Sequence, residues 1–129
     1  DTPARIRGDR EEIVQVVQNL IQNAIKYGRE DGTVEVRVGR EAPRGAADAR
    51  VWVSVTDNGP GIAPEHLPRL TERFYRVNVV SSREKGGTGL GLAIVKHILN
   101  RHRAELRIAS HLGAGSTFTA SFEELGTAA

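Results

Sequence analysis

Asn19-Leu20-Ile21-Gln22-Asn23-Ala24-Ile25-Lys26-Tyr27 is the stretch on which the reading of this chain turns. Upstream of it and through it, Ile13, Val16, Val17, Leu20, Ile21 and Ala24 recur at helical spacing, which predicts one long helix with one buried face, ending near Tyr27. Asp9 suits the N-cap, with Glu12 three residues on in capping-box spacing, and Gly28 suits the C-cap. At 100° per residue, Asn19, Asn23 and Lys26 share a stripe at the rim of the apolar face, where a ligand can pack beside the core. Two amides one turn apart can offer carbonyl oxygens to a hard cation, since Mg²⁺ takes few protein ligands and completes its shell with phosphate and water. Lys26 can meet a phosphate as a point charge. A solvated polar stripe explains the same letters, so the helix alone leaves both readings open.

Working outward, Val34, Val36 and Val38 alternate with Glu35 and Arg37, and Val51, Val53 and Val55 alternate with Trp52 and Ser54. Both runs read as half-buried strands, joined by an Ala-, Gly- and Pro-rich hairpin loop from Gly39 to Arg50. Arg5-Ile6-Arg7 reads as a short edge strand, and a short helix is expected near Pro64 to Leu70. The run 77–86 lacks periodicity and reads as mobile. A second amphipathic helix is expected from Thr88-Gly89, with Leu90, Ala93, Ile94, His97 and Ile98 on one face. Leu106-Arg107-Ile108 and Thr117 to Phe122 read as closing strands. Helices and antiparallel hairpins predict an α+β fold, a two-layer sandwich with a mixed, mainly antiparallel sheet covered on one face by helices.

Composition bounds the function. At 129 residues the chain is the size of one domain, taken here as 1–129. There are no cysteines, which excludes disulfides, Cys-ligated zinc and thiol catalysis and agrees with a cytoplasmic protein. No apolar run approaches the roughly 20 residues of a membrane helix. With 18 basic against 16 acidic residues the charge is too balanced for a polyanion-binding surface, so no nucleic acid partner is expected. Asp1-Thr2-Pro3 and Gly126-Thr127-Ala128-Ala129 read as cut points, so a fragment of a longer protein is expected.

Three further stretches carry chemistry. Asp57-Asn58-Gly59-Pro60-Gly61 puts a carboxylate at a strand end, where it can accept a hydrogen bond from an exocyclic amine such as adenine's, beside glycines that let a flat ring approach. An ordinary Asx-type turn fits those residues too. Gly86-Gly87-Thr88-Gly89-Leu90-Gly91 precedes a helix, so successive backbone N–H groups can face an anion. It lacks the Lys-Ser/Thr of a Walker A loop, and a hinge or close helix packing is the other reading. In Glu72-Arg73-Phe74-Tyr75-Arg76, Phe74 can anchor a loop while Arg76 reaches a phosphate; an exposed helix end with one buried Phe accounts for it equally. His66, His97, His102 and His111 share no metal-binding spacing and are given no catalytic role.

Taken together and in this order, the four stretches resemble the catalytic, ATP-binding domain of two-component sensor histidine kinases, within the superfamily shared with gyrase-type ATPases, Hsp90 and the mismatch-repair ATPases. The run Gly-Gly-Thr-Gly-Leu-Gly-Leu-Ala-Ile-Val-Lys-His-Ile looks most like the phosphate-regulon class. The resemblance runs from about Gly8 to Phe122 and implies a Bergerat-type sandwich with a mobile lid, 77–86, over Mg-ATP. It implies Asn23 as principal Mg²⁺ ligand with Asn19 in support, Lys26 on phosphate and Tyr27 flanking the nucleotide. Asp57 would take the adenine amine, Gly59, Gly61 and Ile62 would form the base pocket, and Arg76 would approach the terminal phosphate. Gly87, Thr88, Gly89, Leu90 and Gly91 would make the phosphate cradle. ATP-hydrolysing members carry a water-activating Glu where this chain has Asn19, which argues for transfer over hydrolysis. Thr71 replaces a usual apolar residue, and Arg103-Ala104 stands where many members have Gly-Gly. No stretch resembles the family's phosphoacceptor-bearing dimerisation helices. The implied partners are therefore that helical domain and a response regulator, with a homodimeric full-length kinase and a monomeric fragment. A nucleotide-sensing pseudokinase and a serine kinase of the same superfamily are the alternatives.

Overall fold

The computed structural model describes residues 8–27, 32–42, 49–72 and 91–123. The expected strand at 5–7, the Gly28 cap and the lid at 77–86 lie outside them. The first helix, α1, spans Arg10–Tyr27. Asp9 caps it, its Oδ1 accepting the N–H groups of Glu11 at 2.9 Å and Glu12 at 3.2 Å. The capping box is not reciprocal, however. The Asp9 N–H donates instead to His102 Nε2 at 3.0 Å, and Glu12 Oε2 accepts from Arg101 Nη1 at 2.6 Å. Tertiary partners have taken over both groups, so the start of α1 is tied to the end of the second long helix, α2, which spans Gly91–Arg101.

Among the described residues, four strands follow one another in pairs: β1 (Val34–Glu41), β2 (Arg50–Asp57), β3 (Glu105–His111) and β4 (Gly115–Glu123). They form a sheet in the order β1-β2-β4-β3, every neighbour antiparallel. Register puts Val53, Val55, Phe118, Ala120, Leu106 and Ile108 on one face. That face packs against Val16, Leu20 and Ala24 of α1 and Val95, Ile98 and Leu99 of α2 in one core cluster. A short 3-10 helix, Pro64–Arg69, leads to the buried Leu70. Among the described residues no helix is long and apolar enough to cross a membrane.

Three expectations change. Gly39, Arg40, Glu41 and Arg50 belong to the β1–β2 ladder and not to the loop. Gly39 is in strand because it faces Trp52 across the ladder, and the indole fills the space a Gly39 Cβ would need. Val36 and Val38 are exposed rather than half-buried, at 44% and 70%, because β1 is an edge strand that the helices do not reach across to cover. Finally, α2 buries Val95, Ile98 and Leu99, leaving His97 exposed and Ile94 at 37% exposure. The phase is set by the end of the helix, which closes in a Schellman motif. The N–H of Ala104 donates to Leu99 O at 2.8 Å and that of Arg103 to Asn100 O at 3.2 Å, with Arg103 left-handed at φ 54° and Ala104 buried.

Candidate functional site

Chain connectivity gathers the candidate residues at one end of the sandwich. Six residues join Tyr27 to Val34, and Val34 is the cross-strand neighbour of Asp57, so α1 ends near the sheet end that carries Asp57. At the other end of the sheet, α2 finishes at Arg101 just before β3 begins at Glu105, opposite Ser121 and Trp52. The start of α2 at Gly91, about 15 Å back along its axis, therefore lies toward the Asp57 end. The ties from Asp9 and Glu12 to His102 and Arg101 likewise set α1 and α2 antiparallel.

On α1, Glu12, Asn19 and Asn23 fall within a stripe about 40° wide, because seven and eleven residues are close to whole numbers of turns. Glu12 faces α2 from that stripe, so Asn19 and Asn23 line the same flank. Both are half-buried, and neither side-chain amide has a hydrogen-bond partner among the described residues. Lys26 is exposed and takes part in no ion pair among them. Their amide atoms are open to solvent, so water or a ligand can reach them. Two amide oxygens left free beside a lysine fit a small, hard cation that keeps phosphate and water in its shell. Among the described residues there is no group of three or more His, Cys, Asp or Glu side chains placed for a metal.

Asp57 ends β2 on the helix-facing side and is 9% exposed. Its Oδ1 accepts the buried Gly59 N–H at 2.9 Å, while Oδ2 has no partner among the described residues and remains able to accept. The turn after it is held from three directions. Asn58 Oδ1 accepts the Thr33 N–H at 2.8 Å, Ser110 Oγ accepts the Ile62 N–H at 2.8 Å, and Pro60 O accepts the Gly113 N–H at 2.7 Å. Gly61, at φ 79°, is obligatory because a Cβ there would overlap the His111 carbonyl. Ile62 packs against the core.

Ser110 and Ser116 were missed from the sequence. Ser116 is the cross-strand neighbour of Asp57, and Ser110 Oγ lies 2.8 Å from Ser116 Oγ while donating to Gly115 O at 3.1 Å. They form a polar floor beside the carboxylate. His102 was missed too, as a link between helices. Gly91 is the first residue of α2, and Tyr27 is the last of α1. Arg76, Gly87, Thr88, Gly89 and Leu90 lie outside the described residues.

Residues 8–125 match the family described as histidine kinase-, DNA gyrase B- and HSP90-like ATPase. The chain belongs to that ATPase family. Its relatives in the family are sensor kinases: it is 48% identical over 118 residues to the phosphate regulon sensor protein PhoR of Pseudomonas aeruginosa, covering 92% of this chain and 25% of that protein. It is 42% identical over 127 residues to the sensor-like histidine kinase SenX3 of Mycobacterium tuberculosis, covering 97% and 30%. The chain thus spans between a quarter and a third of the length of these relatives. Among solved structures, the mycobacterial sensor histidine kinase MprB superposes with a TM-score of 0.79 at 29% identity, over 98% of this chain and 79% of that one. The catalytic domain of the histidine kinase ThkA superposes with a TM-score of 0.77 at 27% identity, over 96% and 74%. Within the ATPase family, this chain is of the histidine kinase catalytic-domain kind.

Proposed function

We propose that the chain binds Mg-ATP and passes the γ-phosphoryl group to a histidine on a separate helical domain of its own full-length protein, for onward transfer to a response regulator. The observation that carries this reading is the pair of solvent-accessible amides, Asn19 and Asn23, on the same stripe of α1 as Lys26 and at the same end of the sandwich as Asp57. The kinship with PhoR and SenX3 supports it. In this reading Asp57 Oδ2 accepts the adenine amine, and the Gly59–Ile62 turn flanks the ring, with Tyr27 nearby. Asn23 and Asn19 would hold Mg²⁺, which when bound supplies charge neutralisation across the phosphates. Lys26 and Arg76 would add positive charge, and Gly87, Thr88, Gly89, Leu90 and Gly91 would hold the phosphates through backbone N–H groups. Asn19 cannot take a proton from water at neutral pH, so the site positions the phosphoryl group without activating a competing nucleophile. The full-length kinase would be a homodimer and this piece a monomer.

Two substitutions test the assignment in the full-length protein. Asn23→Ala should abolish autophosphorylation, measured as acid-labile, base-stable label from γ-labelled ATP; wild-type labelling would remove the metal role. Asp57→Asn should weaken ATP binding by about 1–3 kcal/mol in calorimetry, the range expected for a buried hydrogen-bond partner. An unchanged affinity would contradict the base contact.

A further inference from the structure

We propose that His102 is a positioning residue: it fixes α1, which carries Asn19 and Asn23, against α2, which begins at Gly91, and so sets the geometry for transfer. The proposal rests on the Mg-ATP reading above. His102 is the C-cap of α2, and each of its ring nitrogens has one partner. Nδ1 lies 2.8 Å from Ile98 O, which can only accept, and Nε2 lies 3.0 Å from the Asp9 N, which can only donate. The imidazole is therefore the neutral Nδ1–H tautomer, donating within its own helix and accepting from the N-cap residue of the other. A Cβ on Gly8 would overlap the His102 ring and Ile13 Cδ1. Beside this link, Arg101 and Glu12 make the second tie at 2.6 Å.

The location of the link matters more than its strength. It joins the two helices at the end remote from the site. Asn23 lies eleven residues beyond Glu12 on the same stripe, about 16 Å along α1. A change of about 4° in the angle between the helices would shift Asn23 by about 1 Å relative to the start of α2. Misplacements of about that size can cost 100-fold in rate when they fall between reacting groups. Asp57 is held by β4 and the β3–β4 turn, not by this link, so the base contact should be insensitive to it.

Paired substitutions in the full-length protein separate this role from simple helix capping. Glutamine can place an acceptor where Nε2 stands and so keep the tie to Asp9, whereas asparagine can reproduce only the Nδ1 bond to Ile98. His102→Asn should lower the autophosphorylation kcat by at least about tenfold and raise the Mg²⁺ concentration needed for half-maximal rate. ADP affinity without Mg²⁺ should stay within about twofold of wild type, because the base contact does not pass through the link. His102→Gln should restore most of the rate. The proposal is overturned if Asn matches or exceeds Gln, or if both leave kcat and the Mg²⁺ midpoint at wild-type values. If neither variant folds, Gly8→Ala, whose new methyl overlaps the ring and the end of the Ile13 side chain without altering His102, carries the same expectation and the same refutation. Wild-type protein that fails to take up Mg-ATP would refute the underlying functional reading instead.

Discussion

Replacing Gly115 by alanine should damage both the stability of the fold and its hold on nucleotide, and the structure says by how much. Gly115 begins β4 at φ 123°, a backbone torsion essentially closed to residues with a Cβ, at a cost of about 1–3 kcal/mol. Its new methyl would also overlap the Asp57 carbonyl and come within 3.0 Å of Asn58 Cα, both backbone atoms that cannot swing aside. Overpacking of that kind adds about 1–3 kcal/mol, for a total of about 2–6 kcal/mol. Gly113 provides the control. It has φ 83° in the same hairpin, but a Cβ there would meet nothing within 4 Å, so Gly113→Ala should cost only the torsional part, about 1–2 kcal/mol. In urea denaturation, with a slope of about 1–3 kcal/mol per molar, the Gly115→Ala midpoint should fall about 1 M below that of Gly113→Ala. Because the displaced atoms are those of Asp57, ATP affinity should fall about tenfold, or about 1.4 kcal/mol, in the first variant alone. Equal midpoints for the two variants would show that the close approach of β4 to Asp57 is not what demands glycine.

Other expectations follow from the same geometry. Arg103 is exposed and left-handed at φ 54°, so Arg103→Gly should stabilise the protein by about 0.5–1 kcal/mol, less than the full relief because glycine loses more entropy on folding. A melting temperature raised by about 2–4 °C would agree with this, and a lowered one would not. Ser110→Ala leaves the Ile62 N–H without its acceptor and should cost about 1–3 kcal/mol. Faster hydrogen exchange at the Ile62 amide is the specific sign; unchanged protection there would refute the role of Ser110 in holding the turn.

How far the sequence could be read depended on whether a feature is local. Apolar spacing fixes α1 because Val16, Leu20 and Ala24 recur with polar residues between them. In α2 the nearly continuous run Leu92-Ala93-Ile94-Val95 blurs the phase, and the buried choice of Val95 and Leu99 emerges only once the Schellman end and the contact with α1 are known. Asp57 could be singled out from its own turn. Ser110 and Ser116 could not, since serine in a strand marks nothing until register puts it beside a carboxylate. Nor could His102, whose partner is a backbone group 93 positions away. Gly39 reads as a loop signal only when the indole opposite is ignored, and a lone glycine paired with a lone tryptophan was the available clue.

That tryptophan has a practical consequence. Trp52 is the chain's single indole, lodged on the face of β2 that points away from the helices and about 16 Å along the strand from Asp57. Its fluorescence is thus a natural gauge of whether the β1–β2 ribbon is intact. The same signal should stay nearly silent when nucleotide enters, so folding and ligand uptake can be followed independently in one sample.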